Sequence, residues 1–139
     1  MSAALQATCV AVGGRGVLIE GAPGTGKSSL ALALIDRGAV LVGDDGVLVE
    51  TGVGRVVASP HPNIAGKLEV RGVGIIDLPV AAAVPIALVI RLDEDAPRYV
   101  EAAETREIGG IAVPLIRLWP GSPVLHLRAE RALERFGLD

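Results

Sequence analysis

A glycine-rich octapeptide is the segment of the sequence with the clearest chemical meaning: Gly21-Ala22-Pro23-Gly24-Thr25-Gly26-Lys27-Ser28. Its spacing is that of a phosphate-binding loop, in which glycines let successive backbone N–H groups turn towards phosphate oxygens. The lysine of such a loop reaches the β- and γ-phosphates, and its serine ligates magnesium. Together with the adjacent Ser29, the octapeptide predicts a site for ATP and Mg²⁺.

Phosphoryl transfer also needs carboxylates, one for magnesium and one to take the proton of the acceptor hydroxyl. The candidates that end predicted strands are Asp44 with Asp45, Asp77, and Asp93 with Glu94. Neighbours on a strand point to opposite faces, so Asp44 and Asp45 can share a site only if the strand has ended; Gly43 favours that ending. Asp93 is a rival because the apolar run before it resembles a Walker B strand. The residues alone leave this choice open.

A third charged pair, Glu69 and Arg71, lies on a predicted extended stretch from Lys67 to Asp77 that Gly72 and Gly74 interrupt. Residues two apart on a strand share a face, so the two charges lie side by side. They are either an ordinary surface ion pair, which contributes little, or functional groups. Beside a phosphate loop, Glu69 would hold the metal and Arg71 would neutralise the transferring group.

The elements around the loop have the context that a phosphate loop requires. Val17-Leu18-Ile19 is an apolar strand before it, and Lys27 to Arg37 is a helix that Gly38 can end as a C′ residue. A plain glycine-rich turn, the alternative explanation of the motif, does not need these neighbours. We therefore expect a strand-loop-helix unit.

The remaining pattern predicts further strands and one more helix. The predicted elements are a hairpin of Ala7–Val12 and Gly16–Glu20, a strand Ala39–Val42, a hairpin of Val47–Glu50 and Arg55–Ser59, strands Pro85–Leu92 and Ile111–Leu118, and a helix opened by Ser122 and ending near Phe136. The charged stretch from Asp93 to Glu107 is predicted as a mobile surface segment, in which Arg106 is a candidate phosphate contact. The sequence thus predicts one α/β domain spanning residues 1–139.

Composition excludes several classes of function. Half of the 139 residues are apolar, so a core is possible, but only three are aromatic, and the net charge is −3 without a cluster of Lys or Arg. We therefore expect no nucleic-acid partner and no membrane partner. The single cysteine, Cys9, cannot form an internal disulfide, and no signal segment is visible, which favours a cytoplasmic protein.

Three segments together resemble the catalytic domain of bacterial HPr kinase/phosphorylase, in its short proteobacterial form. They are Gly16 to Gly21 leading into the phosphate loop, Arg37 to Asp45, and Leu68-Glu69-Val70-Arg71-Gly72-Val73-Gly74-Ile75-Ile76-Asp77, in the order and spacing of that family. The third segment is far more specific than the loop. The resemblance implies a single P-loop kinase domain of the HPr kinase/phosphoenolpyruvate carboxykinase type, with a mixed β-sheet and flanking helices.

The resemblance also implies an activity and a role for each matched residue. The activity is ATP- and Mg²⁺-dependent phosphorylation of a serine of the phosphocarrier HPr or a paralogous carrier, with a reverse reaction in which inorganic phosphate removes the group. Asp44 would be the base, Asp45 and Glu69 would support the metal with Ser28, and Lys27 and Arg71 would contact phosphates. A homo-oligomer is compatible with this resemblance.

Two departures from the family leave other functions open. Gln6 stands where the family usually has a histidine, and glutamine cannot carry a proton. Trp119-Pro120-Gly121-Ser122 replaces the family's Arg-Pro-Gly-Arg. The alternatives are a small-molecule kinase, with Asp93 to Glu107 as its lid, and a nucleotide-sensing regulator with little turnover.

Overall fold

The computed structural model describes residues 2–139, which form a mixed α/β fold with a curled sheet and two helices. The strands are β1 (Ser2–Leu5), β2 (Thr8–Val12), β3 (Arg15–Gly21), β4 (Val40–Gly43), β5 (Val47–Gly52), β6 (Arg55–Pro60), β7 (Lys67–Val70), β8 (Gly74–Asp77), β9 (Val84–Leu92), β10 (Glu104–Ile108) and β11 (Ile111–Leu118). The helices are α1 (Lys27–Asp36) and α2 (Leu125–Phe136). The predicted fold class is confirmed.

Three parallel strands bring the sequence-predicted site to one edge of the main sheet. Strand β9 pairs in parallel with both β3 and β11, and Leu92 is in register with Gly21 on one side and with Leu118 on the other. The strand order is β1-β5-β6-β9-β3-β2-β4, with β11 also on β9 and β10 on β11. Because the carboxyl ends of parallel strands meet at one edge, the phosphate loop leaves the sheet beside the ends of β9 and β11.

The sheet is apolar on both faces. Val17, Ile19, Leu88 and Ile90 belong to the core cluster that also contains the buried residues of both helices, while Leu18 and Val89 belong to a second cluster on the other face. A central strand that is buried on both faces has a continuous apolar sequence, and this pattern predicted β9. The nearly aromatic-free core is therefore built from aliphatic side chains on both sides of the sheet.

Two predicted chain reversals are confirmed. Gly13 and Gly14 both have positive φ, 58° and 84°, in the two-residue turn between β2 and β3, as a tight hairpin requires. Gly38, with φ of 110°, ends α1, and the N–H groups of Gly38 and Ala39 donate to the carbonyls of Ile35 and Leu34.

Cys9 is a fully buried core residue, and burial raises the pKa of its thiol to about 12.

Several predictions about elements were wrong. Strand β10 begins within the stretch from Asp93 to Glu107 that was predicted as a mobile surface segment. The Gly109-Gly110 turn that joins β10 to β11 was the missed signal, since a glycine pair favours a two-residue hairpin. The extended structure predicted from Lys67 to Asp77 is confirmed, but the chain reverses within it, so that β7 and β8 form a hairpin with Gly72 in its turn. Strand β1, a run of small residues that pairs with the edge of β5, was not predicted.

The start of the last helix was also predicted too early. Val124, not Ser122, is the N-cap of α2, and no side chain caps this end among the described residues. The Ser122 hydroxyl instead accepts a hydrogen bond from the Val124 N–H, in a turn that precedes the helix. The buried residues of α2 are Leu125, Ala129, Ala132 and Leu133, which lie on one face of the helix. Within residues 2–139, neither of the two helices is long enough and apolar enough to cross a membrane.

Candidate functional site

The phosphate loop connects β3 to α1 and opens into a cavity of about 420 Å³. Of the predicted loop residues, the cavity is lined by Gly21, Pro23, Gly24, Gly26, Lys27, Ser28 and Ser29. Gly24 and Gly26 have φ of 81° and 100°, a conformation that side-chain-bearing residues rarely adopt, and a Cβ at either would meet no atom within 4 Å. The space next to these glycines is therefore open to a ligand.

Ala22 and Thr25, unlike the other loop residues, do not line the cavity but form hydrogen bonds with each other. The Thr25 hydroxyl donates to the Ala22 carbonyl at 2.7 Å, and the Thr25 N–H donates to the same oxygen at 3.2 Å. A Cβ on Gly21 would lie 2.6 Å from the Thr25 hydroxyl, so this closure needs glycine at position 21. These two predicted residues close the loop and do not line its cavity.

Lys27, the first residue of α1, contacts its own loop. Its Nζ donates to the carbonyls of Gly21 at 2.9 Å and Ala22 at 3.3 Å. The ammonium group therefore lies above the loop at the positive end of a ten-residue helix. Both features favour an anion in the cavity.

The Asp44 carboxylate is fixed by three hydrogen bonds from different parts of the chain. Its Oδ1 accepts from the Ser28 hydroxyl at 2.7 Å and from the Thr8 hydroxyl at 3.0 Å, and its Oδ2 accepts from the Glu69 N–H at 3.3 Å. Asp44 is not among the residues that line the cavity, but its partner Ser28 is. The structure thus brings the acid next to the predicted magnesium-binding serine.

Asp45 points into the cavity because strand β4 ends just before the two acids. Gly43 is the last residue of β4, and a Cβ there would lie 2.5 Å from the Gly46 carbonyl, so the tight reversal requires glycine. Asp45 has a φ of 63°, in the left-handed region that aspartate tolerates better than most residues. The change of direction lets Asp44 face Ser28 while Asp45 lines the cavity.

The β7–β8 hairpin and the start of β2 complete the wall. Glu69 on β7, Arg71 in the turn after it and Gln6 before β2 all line the same cavity. The exposed cation of Arg71 forms no ion pair or hydrogen bond with another residue of the described chain 2–139. The cavity therefore contains two cations and two carboxylates that come from three separate segments: the phosphate loop, the end of β4 and the β7–β8 hairpin.

The rival acids and the predicted phosphate contact of Arg106 lie elsewhere. Asp93 accepts hydrogen bonds from the Asp95 N–H and from Arg117, and both lower the pKa of its carboxyl. Asp77 pairs with Lys67. Arg106 donates to Glu20 at 2.9 Å and does not line the phosphate cavity.

The residues present fit a nucleotide-bound magnesium ion better than a metal held by protein alone. No group of three or more His, Cys, Asp or Glu close enough to hold a metal is found within residues 2–139. Mg²⁺ commonly keeps several waters and takes one or two carboxylates plus substrate phosphates. Ser28, Asp45 and Glu69, next to an open glycine loop, are a donor set of that kind.

One residue of the site was not predicted from the sequence. Thr8 is fully buried, and its hydroxyl donates to Asp44 and accepts from the Asp45 N–H at 3.4 Å. It thus contacts both acids of the pair. The available signal was weak: a single hydroxyl at the start of an otherwise apolar strand.

Comparisons with known proteins agree with this architecture. The family profile described as HPr Serine kinase C-terminal domain matches residues 1–119. An HPr kinase/phosphorylase from Clostridium tetani is 48% identical over 75 residues, which cover 54% of this chain and 25% of the relative. Another, from Chlorobium phaeobacteroides, is 35% identical over 122 residues, covering 78% of this chain and 36% of the relative.

A solved structure extends the likeness to almost the whole fold. The Hpr(Ser) kinase/phosphatase from Coxiella burnetii superposes with a TM-score of 0.84 at 31% identity, over 95% of this chain and 94% of that chain. The chain spans only about a quarter to a third of the two curated relatives described above. The resemblance drawn from the sequence is confirmed.

Proposed function

Because the chain belongs to the family of HPr serine kinase C-terminal domains, we propose that it is an ATP- and Mg²⁺-dependent kinase for a serine of HPr or of a paralogous phosphocarrier. The observation that carries the proposal is the 2.7 Å hydrogen bond between Ser28 of the phosphate loop and Asp44. The carboxylate is thus next to the predicted magnesium-binding serine, which supports a role for Asp44 in the transfer. Residues 1–139 would act as one catalytic domain.

The loop residues have the binding roles in this proposal. The backbone of Gly21 to Gly26 surrounds the phosphates, and Lys27 leaves its loop carbonyls to contact the β- and γ-phosphates. Ser28 donates a hydrogen bond to Asp44, which leaves the lone pairs of its oxygen free, and together with Asp45 and Glu69 it would hold magnesium. When bound, magnesium neutralises charge on the transferring phosphoryl group.

Asp44 has the capacity to act as the base. A carboxylate offers about four acceptor positions, and Ser28, Thr8 and the Glu69 N–H occupy three of them. The remaining position can accept the proton of the acceptor serine, while the three donors hold the carboxylate in one orientation. Arg71, which is exposed, lines the same cavity and has no ion-pair partner in residues 2–139, neutralises charge on the phosphoryl group.

The direct test is an acceptor screen. Purified chain, labelled ATP and Mg²⁺ are incubated with HPr, with HPr variants that lack each serine in turn, and with a panel of sugars and nucleosides. We expect label on HPr that one serine-to-alanine variant abolishes, and none on the small molecules. Transfer to a small molecule alone would identify a small-molecule kinase, and ATP binding with no transfer to any acceptor would favour a nucleotide-sensing regulator.

Gln6 is predicted to limit the reverse reaction. It lines the cavity beside Asp45 but has no titratable group. Replacing it with histidine places a proton carrier there, and we expect phosphate-dependent removal of the group from phosphoseryl-HPr to rise about tenfold or more. Pyrophosphate release measures this rate. The matched control is Gln6→Asn, which should leave the rate near that of the unmodified chain; equal rates for both variants would contradict the prediction.

Thr8 is predicted to be a positioning residue for the two acids. Thr8→Val keeps the side-chain shape in a fully buried position but removes one donor to Asp44 and the acceptor for the Asp45 N–H. We expect kcat to fall about 10- to 100-fold, the value of one lost hydrogen bond to a charged group, with the KM for ATP almost unchanged. Steady-state kinetics separate the two constants.

The rescue variant for this position is Thr8→Ser, which retains the hydroxyl. It should recover most of kcat despite losing a buried methyl group. A merely structural role for Thr8 predicts the opposite, because serine would then be the more harmful substitution in the core. Thermal unfolding of both variants checks which of these holds.

A further inference from the structure

A second cavity, larger than that of the phosphate loop, lies between α2, the end of β11 and the segment that follows β9. Its volume is about 780 Å³, and it shares no lining residue with the phosphate cavity. The walls are Ala96 to Val100, Ile116 to Trp119, and one face of α2. We call it the arginine cavity.

Its lining contains five arginines and no acid: Arg98, Arg117, Arg128, Arg131 and Arg135. Arg117 is paired with Asp93 and Glu104, and Arg131 has an exposed pair with Glu134. The side chains of Arg98 and Arg128 form no ion pair or hydrogen bond with any residue in the described part of the chain. Uncompensated guanidinium groups in a concave site favour an anionic ligand, and phosphate above all, which they can bind in a bidentate manner.

All three aromatic residues of the chain also line this cavity: Tyr99, Trp119 and Phe136. Tyr99 is 72% exposed and Trp119 is 47% exposed, so both rings are accessible from the cavity side. The Trp119 indole N–H donates to Glu94, which holds the ring at the rim. Exposed rings of this kind stack with flat ligands such as nucleobases.

The arrangement along α2 suits a ligand with several phosphates. Arg128, Arg131 and Arg135 are spaced by three and four residues, so they lie in a row on one face of the helix. The cavity volume is within the range of about 300–1,000 Å³ that is typical of small-molecule sites. A row of cations in the same cavity as two accessible rings matches a phosphate chain joined to a base.

We propose that the arginine cavity is a second nucleotide site, distinct from the phosphate loop. The ring of the ligand stacks on Trp119 and Tyr99, and its phosphates bind Arg98 and Arg128. This assignment does not depend on the proposed kinase activity, because the two cavities have separate linings.

Trp119 is the only tryptophan of the chain, so its fluorescence reports occupancy of the arginine cavity directly. The experiment titrates ATP, ADP and inorganic tripolyphosphate into a Lys27→Met chain, at nucleotide concentrations too low to fill its weakened phosphate loop. We expect saturable quenching by both nucleotides and a weaker effect of tripolyphosphate. Arg98→Ala combined with Arg128→Ala should weaken nucleotide binding about tenfold or more, and the control Arg55→Ala, on the β5–β6 hairpin, should not.

Calorimetry supplies a second readout that does not rely on fluorescence. The unmodified chain should bind two nucleotides, and both Lys27→Met and the double arginine variant should bind one. Quenching that disappears in Lys27→Met, or that persists unchanged in the double arginine variant, would overturn the proposal. So would a single site in the unmodified chain, or an equal affinity for tripolyphosphate and ATP.

Discussion

Asp44→Asn is expected to lower the rate of phosphoryl transfer to HPr by about 10²- to 10⁴-fold, the contribution usual for a positioned general base. Binding of ATP should remain within a few-fold of that of the unmodified chain, because Asp44 does not line the phosphate cavity. Asparagine cannot take the proton of the acceptor hydroxyl. Labelled-phosphate transfer measures the rate, and calorimetry measures binding.

The hydrogen bonds of Asp44 make this substitution structurally mild. The asparagine oxygen can still accept from Ser28 and Thr8, and only the bond from the Glu69 N–H to Oδ2 is lost. The matched control is Asp77→Asn, at an exposed acid paired with Lys67, which should leave transfer unchanged. Undiminished transfer in Asp44→Asn would remove Asp44 from the mechanism and leave Asp45 as the acid that faces the cavity.

The phosphate loop and the acid pair could be predicted because both depend on local chemistry. Glycine spacing, an apolar strand before the loop and a helix after it define the loop from sequence alone. Gly43 predicted the end of β4, and the structure shows why glycine is needed there, since a Cβ would meet the Gly46 carbonyl. The choice of Asp44 over Asp93 came from family resemblance. The residues themselves did not exclude Asp93, because the arginine that binds its carboxylate, Arg117, is 24 residues away in the sequence.

Features that depend on long-range contacts were not predictable from single segments. Thr8 meets Asp44 only because β2 pairs with β4, and a sequence pattern does not show which strands become neighbours. Strand β10 was obscured because its alternating charged residues resemble a solvated loop. The arginine cavity likewise combines α2 with residues about 30 positions earlier, so neither segment alone predicted it.

Lys27→Met is expected to have the other large effect. Loss of the ammonium group should weaken binding of ATP at the phosphate loop about 10- to 100-fold, the value of charge-assisted contacts to phosphate. The rate of transfer at saturation should fall by about a further 10²- to 10³-fold, because Lys27 also stabilises charge that develops during transfer. Rates of HPr phosphorylation over a range of ATP concentrations separate the two effects.

The chain supplies its own control for this substitution, since Lys67 is its only other lysine and pairs with Asp77 on the β7–β8 hairpin. Lys67→Met removes the same charge and should change neither constant by more than about twofold, as expected for an exposed ion pair.

In the folded chain the Lys27 ammonium group donates hydrogen bonds to the carbonyls of Gly21 and Ala22. If these two hydrogen bonds were the whole role of Lys27, the Lys27→Met chain would bind ATP as well as the unmodified chain, because methionine leaves the loop amides free. Unchanged affinity at the loop together with unchanged transfer would therefore assign Lys27 to loop closure and not to the phosphates.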